Sequence, residues 1–268
     1  MIKLFHNDMS VCAQKVRFVL EYKSIDWTSE HLNLRNGDQF KPAFRQINPK
    51  GLIPVLMHED AIITESNTIV EYIEEVFPQN ALMPKDPVLK AHIRYWMGQL
   101  DTGLHEHIAI ISFCLAFRFQ ILERYKTEDA LTGFLAKISD PSRASVMKET
   151  ITKGLQSERL SAALYAYRKL LDEMDKTLNN SSYLVGSDMT LADVSILPYI
   201  ERLTHLQLSF MWDNKPSISR WYKLMRSNTA YKQSIVNWYN QDYIKLMSVK
   251  AELKISDIKE KIDAMRNL

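Results

Sequence analysis

A serine and a cysteine stand two residues apart in Met9-Ser10-Val11-Cys12-Ala13-Gln14-Lys15-Val16-Arg17. Cys12, Val16, Val19 and Leu20 repeat at helical spacing, which predicts a helix from about Val11 to Tyr22 with Ser10 and Cys12 at its start. A hydroxyl there is an N-cap. A thiol there has its pKa lowered by the helix N-terminus, or is a small buried residue in step with Val16 and Val19. A second constellation is Gly51-Leu52-Ile53-Pro54-Val55-Leu56, followed by Thr64-Glu65-Ser66-Asn67. Proline cannot donate to a sheet ladder, so Pro54 belongs at a strand start, and Ile53-Pro54 is a reasonable place for a cis bond. Glu65 and Ser66 precede an apolar stripe of Ile69, Val70, Ile73, Val76 and Phe77, and free N–H groups at such a helix start can hold an anion. The two segments offer an edge for an extended peptide and a polar pocket for its charged end. His105-Glu106-His107 is not a metal site by this reading, because positions i and i+2 of a helix point apart and no third ligand is suitably spaced.

The surrounding pattern is β-α-β-α-β-β-α. Strands are expected at 2–5, 27–32, 55–58 and 61–64, with a hairpin turn at Glu59-Asp60, an irregular or weakly helical segment over 37–47 and helix over 65–77. Three prolines (Pro78, Pro84, Pro87) mark 78–87 as a linker. Beyond it helices are expected at 88–126, 155–179, 190–210 and 215–228, with 137–154 a polar connection inside an insertion. Thr190-Leu-Ala-Asp193 predicts a capping box, and Pro198 should kink or shorten the helix that follows. The charged tail, with apolar Ile244, Leu246, Met247, Leu253, Ile255, Ile258, Ile262 and Met265, reads as a helical extension packed on the domain.

The chain has 268 residues, enough for two small domains. A net charge of +2 gives no general attraction to nucleic acid or anionic lipid. No apolar run approaches the ~20 residues that span a bilayer. Strand pattern begins at Ile2, which leaves no room for a signal peptide, and two cysteines cannot form a disulfide framework. A cytoplasmic protein without nucleic-acid or membrane partners is expected.

Residues 44–54 (FRQINPKGLIP) and 63–75 (ITESNTIVEYIEE) resemble the thioredoxin-like domain of cytosolic glutathione transferases, and Gly186 to Asp193 resembles the signature in that superfamily's helical domain. The resemblance implies an α/β thioredoxin-like N-terminal domain plus an all-α C-terminal domain: 1–80 binding glutathione as co-substrate, 88–242 binding substrate, and 243–268 a helical extension. The segment around Ser10 is similar to that of serine-type transferases such as the zeta class, and to the M-S-x-C segment of tetrachlorohydroquinone reductive dehalogenases. No tyrosine occupies that region, which disfavours a tyrosine-type enzyme.

On this resemblance Ser10 donates to the glutathione sulfur, favouring its ionised form, and Cys12 is the second candidate, forming a mixed disulfide. Ile53 beside cis-Pro54 pairs with the cysteinyl backbone. Glu65 and Ser66 receive the γ-glutamyl end, while Gln39, Lys41 and Lys50 serve the glycine carboxylate. Arg17 is expected to support the fold through an ion pair. The electrophile pocket is expected between the domains, with Tyr95, Trp96, Leu100, Leu104, His107, Ile111 and Phe119 as candidates. The implied activity is attack of the glutathione thiol on a small hydrophobic electrophile, as in aryl-ether cleavage or reductive dehalogenation, by a homodimer. A non-catalytic binding module and a glutathione-dependent isomerase are the alternatives.

Overall fold

The structure, a computed structural model, describes residues 1–264. Its N-terminal part builds a mixed four-stranded sheet. Strand β1 (Ile2–His6) pairs in parallel with β2 (Trp27–His31) and antiparallel with β3 (Val55–His58), which pairs with β4 (Ala61–Thr64) in the order β2-β1-β3-β4. Helix α1 (Val11–Tyr22) joins β1 to β2, a short α2 (Pro42–Ile47) precedes β3, and α3 (Ser66–Val76) follows β4. In register, Phe5 faces Val55 and Val55 faces Thr64. The end of β1, the entry to β3 at Ile53-Pro54 and the exit of β4 at Glu65 therefore lie at one end of the sheet. The Ile53-Pro54 bond is cis, as expected.

The linker is tied down by a lysine. Lys23 is buried, pairs with Glu74 at 2.8 Å and donates to the carbonyls of Phe77 and Gln79, while Glu74 accepts from the Leu82 and Met83 amides at 2.9 and 3.0 Å. The remaining chain is helical: α4 (Pro87–Gln99), α5 (His105–Ser112), α6 (Arg118–Arg124), α7 (Glu128–Leu135), α8 (Pro141–Lys153), α9 (Glu158–Leu178), α10 (Leu191–His205), α11 (Pro216–Arg226), α12 (Thr229–Ser234), α13 (Gln241–Glu252) and α14 (Ile255–Ala264). One apolar core runs from the sheet through α1 and α10 into α9 and the tail.

Several expectations need correction. Residues 137–154 are not a polar connection: α8 occupies most of them, capped by Asp140, and helps to cover a satellite core of Ile121, Leu131, Phe134 and Leu135. Helix α10 continues past Pro198 to His205. Its capping box forms: the Asp193 carboxylate is buried and accepts from Thr190 N–H, Leu184 N–H and the Trp221 indole. Arg17 is held by carbonyls of Asn7, Asp8 and Ser234 and stacks on Trp238, with no carboxylate in ion-pair contact among the described residues. The tail packs as expected, burying Met247, Ala251, Ile258 and Ile262, while Met265 lies outside the described residues.

Candidate active site

The loop that delivers the chain into α1 is held by arginines. Arg17 takes the carbonyls of Asn7 and Asp8 at 2.9 Å each, Arg202 from α10 takes that of Met9, and the Asn7 side chain accepts from the Met9 amide. Ser10 is thereby fixed as the N-cap of α1, its hydroxyl accepting from Ala13 N–H at 3.3 Å. It faces a cavity of about 200 Å³ between the sheet end and the helices, which Gln39, Gly51, Leu52 and Ile53 also line. Two larger hollows, of about 630 and 480 Å³, lie around Asp172 and Lys215 and around Tyr222 and Arg226; neither touches these residues.

The other expected residues divide. Glu65 has φ of 64°, a conformation that side chains rarely adopt, and pairs through its carboxylate with Lys50 at 2.9 Å. Hydrogen bonding to Glu65 raises the Lys50 pKa. Gln39 donates to the Leu34 carbonyl at 3.3 Å and leaves its buried Oε1 without a partner, a group suited to a donor on a bound peptide. Lys41 is bound to Asp38 at 2.7 Å and does not line the cavity. Ser66 lies against Cys12 rather than on the cavity wall.

Cys12 is half-buried and has company that the sequence did not announce. Its Sγ is 3.5 Å from Nδ1 of His105 and 3.7 Å from the Tyr199 hydroxyl, and those two groups are 3.2 Å apart. Burial alone would raise the thiol pKa. The charge and hydrogen bond of His105, with Lys15 and Ser66 behind them, overcome burial and bring it down to about 6. In return the Cys12 charge raises the His105 pKa against the pull of burial. Both shifts favour a thiolate beside an imidazolium. Lys15 is buried beneath it and donates to Asn67, which donates in turn to Asp101 at 2.8 Å.

The apolar wall belongs to a different face of the helices than expected. His105, Ile108, Ala109, Ser112, Phe113 and Phe117 line the cavity, whereas Trp96, Leu100, Leu104 and Ile111 are in the core and Tyr95 is exposed. A π-helical turn over Phe113–Phe117 shifts the register and brings both phenylalanines onto that wall. His105 begins an i, i+3, i+4, i+7 stripe with Ile108, Ala109 and Ser112, the one sequence signal that could have found it.

Comparison with known proteins agrees with this architecture. The family models for the N-terminal and C-terminal domains of glutathione S-transferase match residues 9–76 and 138–228, together over half the chain. Glutathione S-transferase TCHQD of Arabidopsis thaliana is 26% identical over 265 residues, covering 89% of this chain and 91% of its own. LigF of a Sphingobium species is 23% identical over 93% of this chain and 98% of its own. The crystal structure of LigF, a β-etherase, superposes with a TM-score of 0.80 at 21% identity over 88% of this chain and 99% of that one, a likeness of fold. A probable maleylacetoacetate isomerase of Caenorhabditis elegans is 29% identical over 71% of this chain and 73% of its own. With both domain models matched in order and the thioredoxin-like sheet joined to a helical second half, the chain belongs to the glutathione S-transferase family.

Proposed function

We propose that the chain holds glutathione along the strand entered at Pro54, ionises its thiol beside Ser10 and directs the thiolate at a small aromatic electrophile in the adjoining cavity. The observation that carries this reading is the meeting of Ser10 and Ile53 on one cavity whose far wall is aromatic. The Ser10 hydroxyl donates to the sulfur and the thiol proton leaves to solvent. A carbon–sulfur bond then forms as the bond to the leaving group breaks, and a phenolate or halide departs with the electron pair. The exposed Ile62, Val76, Val88, Leu89 and Tyr95 on β4, α3 and α4 support a homodimer through that edge.

The Cys12–His105 contact favours a second, reductive reading. Here the Cys12 thiolate attacks the sulfur of a glutathione conjugate, forming a Cys12–glutathione disulfide. The departing carbon takes the bonding pair and a proton, and a second glutathione then releases oxidised glutathione and restores the thiolate. Cys12→Ser separates the two readings. Over a panel of aryl ethers, chlorohydroquinones and chloronitrobenzene, the substituted protein retains conjugation and loses reductive dehalogenation. Dehalogenation that survives Cys12→Ser contradicts the redox role. Binding of glutathione with no turnover of any substrate contradicts catalysis, and turnover without net glutathione loss indicates isomerisation.

A further inference from the structure

The cavity wall beyond Ser10 carries more positive charge than thiol transfer calls for. Arg35, Arg143, Arg202 and His105 line it, and among the described residues no aspartate or glutamate does. Two of these arginines gather at a single ring: the guanidinium carbons of Arg35 and Arg202 lie 4.5 and 5.1 Å from the centroid of Phe117. Arg202 is 6% exposed; it donates to the Ser112 hydroxyl at 3.3 Å and to the Met9 carbonyl, and its buried Nε has no partner. Arg35 donates to Gln120 at 2.8 Å and lies 5.4 Å from the Tyr243 ring.

All these partners are neutral. Burial lowers the pKa of Arg35, and burial together with the Arg35 charge brings Arg202 down to about 10. Two neighbouring cations in an aromatic, poorly hydrated setting repel each other, and a shared anion removes that cost. Asp8, the carboxylate that acts on Arg35, is already engaged with His31 at 3.7 Å and Asn240 at 3.1 Å. The groups assigned above to the charged ends of glutathione (Gln39, Lys41, Lys50, Glu65 and Ser66) do not include this pair.

We propose that the electrophile taken by this cavity is a small aromatic acid, its carboxylate seated between Arg35 and Arg202 and its ring against Phe117 and Phe113. Guanidinium groups suit this role because they meet a carboxylate with paired, charge-assisted hydrogen bonds. The inference rests on the glutathione-transferase reading of the site and adds the substrate's charge to it.

The test compares two glutathione conjugates by calorimetric titration of the intact protein. One carries a para-carboxy-ortho-nitrophenyl group on sulfur, and the other is its neutral para-carboxamide. The carboxylate conjugate is expected to bind at least about tenfold more tightly, with a preference that shrinks in high salt. Arg35→Gln brings the two to within about threefold of each other. Equal affinities in the wild-type protein, or conjugates weaker than glutathione itself, overturn the anion seat while leaving glutathione binding intact. A preference that survives Arg35→Gln, or one lost on Arg143→Gln instead, overturns its placement. If neither conjugate nor glutathione binds, the transferase reading falls and this inference with it. The wild-type comparison needs no variant, so it remains decisive even if Arg35→Gln does not fold.

Discussion

Ser10 and Cys12 share the opening turn of α1, yet their surroundings direct them to different chemistry. Ser10 faces the cavity with a hydroxyl that caps α1, while Cys12 has its Sγ 3.5 Å from Nδ1 of His105. For Cys12 the thiolate fraction rises with pH, so alkylation by iodoacetamide should follow a titration centred at about 6 and level off above it. In His105→Ala the midpoint should move up toward the ordinary thiol value of about 8.5. Cys114 is buried, and burial pushes its thiol up to about 12, which keeps it from contributing in this range. A midpoint unmoved by His105→Ala would contradict the pairing. The placement of Ser10 and Cys12 at the start of α1, of Ile53-Pro54 at the entry to β3 and of Glu65-Ser66 at the start of α3 was legible in the sequence because helix caps and strand entries leave local marks. His105 and Tyr199 were not, since they reach Cys12 from 93 and 187 residues away and carry no local signature of that meeting.

At the scale of elements, periodicity named the helices better than it chose their faces. Residues 105–117 are apolar on most faces, so the stripe of His105, Ile108, Ala109 and Ser112 stands out little from the face toward the core. The π-helical turn at Phe113–Phe117 further displaces any regular repeat. The stretch at 137–154 misled for the opposite reason: α8 is mostly exposed and polar, and its start is marked only by Asp140-Pro141. The capping box of α10 was legible in full, and it predicts a graded response. Thr190→Ala removes the hydroxyl that accepts from Ala192 N–H and donates to the Asp193 carboxylate, and should cost about 1 kcal/mol in urea denaturation. Asp193→Ala leaves the Leu184 amide and the Trp221 indole buried without an acceptor, and should cost about 3 kcal/mol. Equal losses in the two variants would contradict the wider role given to Asp193.

For the whole molecule, the sheet end and the helical half each supply part of a cavity that neither forms alone. Arg202 from α10 and Tyr243 from the tail complete it, and that convergence of distant segments is what sequence patterns could not convey. The exposed apolar edge carries a prediction at the same scale. Val88→Glu with Tyr95→Glu should shift the molar mass from light scattering to that of a single chain, and a wild-type protein already monomeric would contradict the dimer. The central claim, that Ser10 ionises glutathione, is tested most directly by ultraviolet difference titration of the bound thiol. A Cys12→Ser background removes the protein's own thiolate signal. Bound glutathione should ionise at least about one pH unit below the free tripeptide, and Ser10→Ala should return it toward the free value. Bound and free thiols that titrate together would contradict the account.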